Sequence, residues 1–263
     1  MIKRRNHGRG HSYYADGVPG HDPAELVKLP GVTTILDMQP KPGLIKWAAT
    51  STADYAVDNW RALGKLTVSE RLKELYGARH KHVDPLARRG TEVHKLAADI
   101  VVGRPVAVPD ELRGHVEHYR RFLADFAVEP IAVELVVANR AVGYCGSCDL
   151  VAHVAGWGVT LLDIKTSASG SIWPETALQV CGYERAEVYA FPGEWDDEHE
   201  LRGLGIERAG ALSLRSDGYD LRPLNTGDEV WDYFCRLVAN HRAKPALDEW
   251  VGEAAEPPLR VSA

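Results

Sequence analysis

The 263-residue chain has no apolar run approaching the roughly 18 residues that a membrane-spanning helix needs, so no bilayer segment is expected. Its opening, MIKRRNHGRGH, is basic, but no apolar stretch follows it. A secretory signal is therefore not expected, and the default setting is the cytoplasm. Four cysteines do not make a disulfide scaffold in a chain of this size. Cys145-x-x-Cys148 has the spacing of half a zinc site or of a redox pair. No second such pair exists, and Cys181 and Cys235 stand alone, so reduced structural cysteines are expected. There is no P-loop, no dinucleotide-binding glycine fingerprint and no internal repeat.

What is present is ordinary globular material, 45% hydrophobic and 26% charged, enough to bury a core in one large domain or two small ones. The net charge of −6 is unevenly spread. Residues 1–104 carry 17 Lys/Arg against 11 Asp/Glu, and residues 105–263 carry 14 against 26. The basic part is suited to phosphates and some of the later acids to a cation, although solvated helix faces account for the same imbalance.

The stretch from Gly143 to Tyr183 organises the chain. Two apolar runs, Asp149–Val154 and Val159–Lys165, flank the turn signal Ala155-Gly156-Trp157-Gly158. A hairpin centred on Gly156 sets Asp149 opposite Asp163, with their Cβ atoms roughly 4.5–5.5 Å apart. Lys165, two residues further on, shares a strand face with Asp163. Facing carboxylates in an apolar sheet repel, and a hard divalent cation relieves that best. The competing reading has one aspartate capping a turn and Lys165 merely ending a strand. After the polar loop Thr166–Gly170, a helix starts near Pro174 with Glu175 in its first turn. On it, Gln179 and Tyr183 are four apart and share a face. Upstream, Arg89-Gly90-Thr91-Glu92-Val93-His94 lies on another helix, expected over Leu86–Val102 from a start at Asp84-Pro85. His94 borders that helix's apolar face of Val93, Leu96, Ala97 and Ile100, so a core histidine is the alternative to a ligand.

Taken in order, Gly90-x-x-x-His94, Gly146-x-x-Asp149, Asp163-x-Lys165 and Gln179-x-x-x-Tyr183 resemble the PD-(D/E)XK nuclease superfamily, in its RecB-like and phage exonuclease branch. The likeness runs from about Arg89 to Tyr183 and is weaker upstream. It implies a metal-dependent DNA exonuclease in phage-type recombination, repair or replication, in a bacterial or phage-infected cell. It implies Mg2+ or Mn2+ held by His94, Asp149, Asp163 and the Ile164 carbonyl. Lys165 would act on the attacking water, with Gln179 and Tyr183 supporting DNA and site geometry. Glu134 interrupts the apolar strand Ile131–Ala138; the resemblance sets it beside the metal, whereas an edge strand would turn it to water. Arg88 and Arg89, one or two turns before His94, are positioned for phosphates. An iron–sulfur cluster is not expected, because three of the four cysteines lie inside the core stretch rather than around it. The implied partner is DNA, with a single-strand annealing or other recombination protein as a further candidate; the oligomeric state is not legible. The alternatives are a DNA-binding module that does not cut and a structure-specific endonuclease.

The expected fold is α/β, with a restriction-endonuclease-like core: a central mixed sheet of four or five strands around residues 131–165 and 210–223, flanked by helices. The expected organisation is a partly flexible segment over 1–30, a single domain over 31–244 with its core at 86–224 and a helical N-terminal part, and a tail over 245–263. His11–Ala15 and Val32–Leu36 read as strands. Leu44–Leu63 reads as a helix whose stripe of Leu44, Trp47, Tyr55, Val57 and Trp60 belongs to the core, stacking on bases being the alternative. Val68–Tyr76 reads as a short helix of its own, and Pro109–Val128 as an amphipathic one. The Gln179 helix is expected to continue towards Tyr189, before a solvated acidic loop over Pro192–Glu200. Gly210–Leu214 and Tyr219–Pro223 read as paired strands, and Thr226–Arg242 as a closing helix with a capping box from Thr226 and Glu229.

Overall fold

The computed structural model describes residues 1–8, 10–166 and 169–254; of 79–87 and 248 it describes the backbone alone. Part of the expected 166–170 loop, the Arg79–His82 side chains and the end of the tail therefore lie outside the described residues.

The apolar runs form a seven-stranded mixed sheet. Its strands, in chain order, are β4 (Glu129–Asn139), β5 (Tyr144–Val154), β6 (Gly158–Thr166), β7 (Val188–Ala190), β8 (His199–Glu200), β9 (Arg208–Leu214) and β10 (Tyr219–Pro223). Across the sheet they run β10-β9-β6-β5-β4-β7-β8. The β6–β9 pair is parallel and its neighbours are antiparallel. The two strands that the sequence did not show, β7 and β8, are short and lie at one end of the sheet, where little periodicity exists to read. The β5–β6 hairpin has the expected register: Leu150 pairs with Leu162 and Val154 with Gly158. Gly156 and Gly158 hold its turn at φ of +78° and +80°.

Helices cover both faces. α1 (Val32–Leu36), α6 (Glu175–Glu184) and α7 (Asp228–Ala243) close one side, where Val32, Ile35, Val180, Tyr183, Phe234 and Leu237 meet Leu135, Val137, Val151 and Leu161. α4 (Val68–Val101) and α5 (Arg113–Asp125) close the other, where Val93, Leu96, Val116, Tyr119 and Phe122 meet Leu150, Leu162, Ile164 and Leu212. α4 is a single 34-residue helix, so the two helices expected over 68–102 are one and Asp84-Pro85 starts nothing. Its start is a capping box between Thr67 and Glu70. The same Thr-x-x-Glu pattern at Thr226 forms no box: Gly227 is the N-cap, held by Asn225, and the Thr226 carbonyl faces Cys181 Sγ.

Half of the N-terminal thirty residues are in strands. β1 (Ile2–His7), β2 (Gly10–Ala15) and β3 (Val27–Leu29) form a second, antiparallel sheet. It buries Ile2, Tyr13, Ala15 and Leu29 on Val136, Ala138, Cys145 and Ala190. Arg140 ties it down, with Nη2 3.1 Å from Asp16 Oδ1 and 2.6 Å from Glu198 Oε1. Glu198 thus has a structural partner within the supposedly solvated acidic loop. Two further expectations change. Val32–Leu36 is helical, because Gly31 sits in contact with Tyr13 and bridges to Cys145, which turns the chain before a strand can extend. α6 stops at Glu184, and Val188–Ala190 joins β4 as a strand.

The helical period of α2 (Pro42–Asp58) and α3 (Trp60–Leu63) is as expected, but the core assignment is not. No residue of α2 is buried, and Ile45, Val57 and Trp60 are 73–75% exposed. α2 packs on α4 rather than on the sheet, so its apolar stripe has no core to enter.

Arg140 and the Met1 ammonium are shared partners of Asp16 and Glu198, so Arg140→Ala should cost about 1 kcal/mol, the carboxylates keeping Met1 alone. The expected result is a lower Tm with faster proteolysis within residues 1–30; an unchanged cleavage pattern would mean that apolar packing alone holds the hairpin.

Candidate active site

The β5–β6 ladder ends at Leu150–Leu162, immediately before the facing aspartates. There the Asp149 carboxylate takes over the pairing: Oδ2 accepts a hydrogen bond from the Ile164 amide at 2.7 Å. Oδ1 meets His94 Nδ1 at 3.1 Å. His94 reaches it because α4 lies close on β6; a Cβ on Gly90 would sit 3.1 Å from Thr166 Oγ1. Val93, Leu96 and Ala97 bury the face beside it, so this histidine borders the core and touches the site at once.

Asp163 is 2% exposed and one residue from that junction. Lys165 Nζ lies 2.8 Å from its Oδ2. That contact is an ion pair without hydrogen-bond geometry, and Oδ2 has no hydrogen-bond partner. The lysine donates instead to Gln179 Oε1 at 2.9 Å, and Gln179 Nε2 donates to the Tyr183 hydroxyl at 2.8 Å. The four-residue spacing on α6 sets that relay. Gly146 makes room for its end: a Cβ there would lie 2.5 Å from Tyr183 Cε1. Two glycines of the motifs thus have steric reasons.

Charges couple across this junction. Burial alone would lower the His94 pKa, but Asp149 and Asp163 outweigh it and bring it to about 9. Burial would raise Asp149, yet His94, the Ile164 amide and Lys165 hold it below the ordinary carboxylate range. Burial wins at Asp163, which is raised against the pull of Lys165, with Asp149 adding to the rise. Tyr183 is pushed well above its ordinary value, by burial first and by Asp163 next, and so stays a neutral hydroxyl.

β4 lies between β5 and β7, but β7 pairs only with Val136–Ala138, so Glu134 stands beyond its end, on a stretch of the strand that is unpaired on that side and borders a cleft. The pairs Val133–Leu150 and Leu135–Cys148 set it across from Asp149. Its φ is +56°, a left-handed backbone unusual for this side chain. The packing switches there: Val133 faces the α4 side and Leu135 the α6 side, although they are two apart. Burial first, then Asp149, raises the Glu134 pKa, and Arg4 at 3.9 Å opposes this. Ile164 enters the site through its amide, which donates to Asp149 Oδ2. Arg88 and Arg89 are exposed and do not line the cavity beside His94 and Asp149. Arg4 and Lys95 do. Lys95 was legible, one helical turn from Thr91; Arg4 arrives from β1 through tertiary structure alone.

Among the described residues, no three His, Cys, Asp or Glu side chains form a ready cluster of metal donors. The fit is instead to a partly hydrated hard cation, since Mg2+ takes one or two carboxylates and keeps several waters. The buried Asp163 Oδ2 beside Asp149, met by the Lys165 ammonium and by no hydrogen bond, has that character. Cys145 and Cys148 do not form a zinc site: they pack in separate cores on opposite faces of β5. Burial pushes the Cys145 thiol up to about 12, and all four cysteines are free. No helix among the described residues is long and apolar enough to cross a membrane. No protein-family model and no curated protein matches the chain.

Since the Tyr183 ring is fully packed, Gly146→Ala should overpack this junction by about 1–3 kcal/mol. Denaturant unfolding should show the loss as a lower midpoint at unchanged slope, and wild-type stability would mean that the ring can shift freely.

Proposed function

We propose that this protein hydrolyses DNA phosphodiester bonds with the help of a divalent metal ion. The observation that carries the reading is the convergence of Asp149, Asp163, Lys165, Gln179 and Tyr183 at one split in the sheet, with the buried Asp163 Oδ2 held by the Lys165 ammonium alone. The mixed sheet with helices on both faces supports a restriction-endonuclease-like core. Asp149 and Asp163 would hold Mg2+ or Mn2+, with Glu134 and His94 flanking them. When bound, such a cation supplies Lewis-acid activation of water and phosphate.

The chain's own residues have separable tasks. His94 and the Ile164 amide fix the rotamer of Asp149 from two sides. Tyr183 orients Gln179, and Gln179 orients Lys165. Lys165 would direct the attacking water and offset negative charge that grows on the phosphate in the transition state. Its ammonium is well placed because both of its contacts, Asp163 and Gln179, are themselves held by packing. Exonuclease action, a place in phage-type recombination and a cytoplasmic setting follow from the motif resemblance and are part of the proposal.

Asp163→Ala and Lys165→Ala should each abolish cleavage of end-labelled linear DNA in Mg2+ or Mn2+, as should EDTA, with the fold retained. Loss of linear DNA with a covalently closed circle left intact would identify an exonuclease, and cutting of the circle an endonuclease. Full activity of pure Lys165→Ala would sink the assignment of the lysine. DNA binding with no cleavage of either form would favour a binding module. Mn2+ should raise the Tm of the wild type and leave that of Asp163→Ala unmoved, because a cation stabilises the state that binds it.

A further inference from the structure

Beside Asp149 and His94 a cleft of about 1090 Å3 opens between α4, β4, β1 and the loop after β7. That is slightly above the roughly 300–1,000 Å3 of small-molecule sites. Its walls differ in chemistry. One is apolar: Ile131, 44% exposed, faces the same space as Val102, Phe191 and Pro192. Ile131 is there because β4 carries a bulge between Pro130 and Ala132, where one strand has a residue more than its partner. Bulges beside sites commonly re-aim a side chain in this way. The other wall is cationic. Arg4 arrives on β1, with Nη1 3.1 Å from Ser147 Oγ, and Ser147 is held in turn by the Tyr13 hydroxyl at 2.9 Å. Lys95 is exposed on α4, next in sequence to His94.

We infer that this cleft is a nucleotide subsite, in which Arg4 and Lys95 take a phosphate and the Ile131–Phe191 wall takes an unpaired base. The inference rests on the hydrolase reading and deepens it: the strand end would be held single-stranded next to the bond that is cut. A base paired in a duplex does not offer its face to Ile131, whereas an unpaired one does. Charge sets a condition. Arg4, Lys95, Arg104 and the protonated His94 share the lining with Asp99, Glu134, Asp149 and Glu194, so the charges balance and an anion meets no net attraction. A divalent cation at Asp149 makes the lining net positive. Anion binding in the cleft should therefore need the cation.

The test is titration calorimetry with thymidine 5′-monophosphate, thymidine and inorganic phosphate, in Ca2+ and in EDTA. The wild type should bind the monophosphate in Ca2+ and lose it in EDTA. Arg4→Ala with Lys95→Ala should weaken binding by about tenfold or more, in line with the loss of charge-assisted hydrogen bonds. Ile131→Asn, which removes the apolar surface without adding charge, should weaken the monophosphate and leave inorganic phosphate unchanged. Lys95→Glu, at an exposed position, keeps the test valid if Arg4→Ala loosens the hairpin. Unchanged monophosphate binding in Lys95→Glu, or equal affinity for monophosphate and inorganic phosphate, overturns the subsite. Cleavage of linear DNA by the wild type is scored separately. Binding through Lys95 without cleavage would refute the hydrolase reading and leave the subsite standing; cleavage with a Lys95→Glu protein unchanged in KM and in monophosphate binding would do the reverse.

Discussion

The Asp149 carboxylate is the constraint on which the site depends. One oxygen takes the Ile164 amide that the strand ladder has released, and the other takes His94. By replacing a backbone partner with a side chain, the chain ends β5–β6 pairing without leaving a buried amide unsatisfied. The split that results leaves space between two strands at the depth of the core. Asp163 lies in that space, buried and short of a hydrogen bond, and Lys165 follows it out of the sheet. Removing the bridge would not delete one contact; it would let the ladder close over the place where the other groups meet.

Small residues are what allow so many polar groups to come so close. Gly90 brings α4 onto β6, and Gly146 brings the Tyr183 ring across β5. Glu134 makes the opposite accommodation. It accepts a left-handed backbone, and the side chains on either side of it pack into different cores. A conformation of this kind costs of order 1 kcal/mol or more and persists only where surrounding packing dictates it. Here the β5 pairs on either side of it, Val133–Leu150 and Leu135–Cys148, and the two cores that Val133 and Leu135 enter supply that packing.

The hairpin, its register, the α6 face and the β9–β10 pair were legible in the sequence, because each follows from local periodicity and one turn signal. Whatever depended on partners was not. Val32–Leu36 has strand-like composition but follows a Gly31 fixed by Tyr13 and Cys145. The α2 stripe is amphipathic and yet exposed, since periodicity reveals that a face exists and not what it meets. Thr67 and Thr226 both begin a Thr-x-x-Glu pattern, and only the first becomes a box; at the second, Asn225 and Gly227 occupy the cap. Arg88 and Arg89 were placed by sequence distance from His94, and a helix turns about 100° per residue, so proximity in sequence did not bring them to its face. Arg4 needed the whole N-terminal sheet to be folded before it could be seen near Glu134.

The two acids are each already paired, Asp149 with His94 and Asp163 with Lys165. Such pairing offsets the repulsion of two facing buried carboxylates. On the proposed reading, a cation would compete with the protein's own positive groups and would be held less tightly than bare carboxylates would hold it. The competition is unequal. Asp149 has both oxygens engaged in hydrogen-bond contacts, whereas Asp163 Oδ2 has an ion pair without that geometry. Asp163 is therefore the oxygen donor with least to give up, and Lys165, displaced from it, still keeps Gln179. A lysine that can exchange a carboxylate for other contacts while its amide partner holds it in place is suited to turn towards a substrate without losing its position.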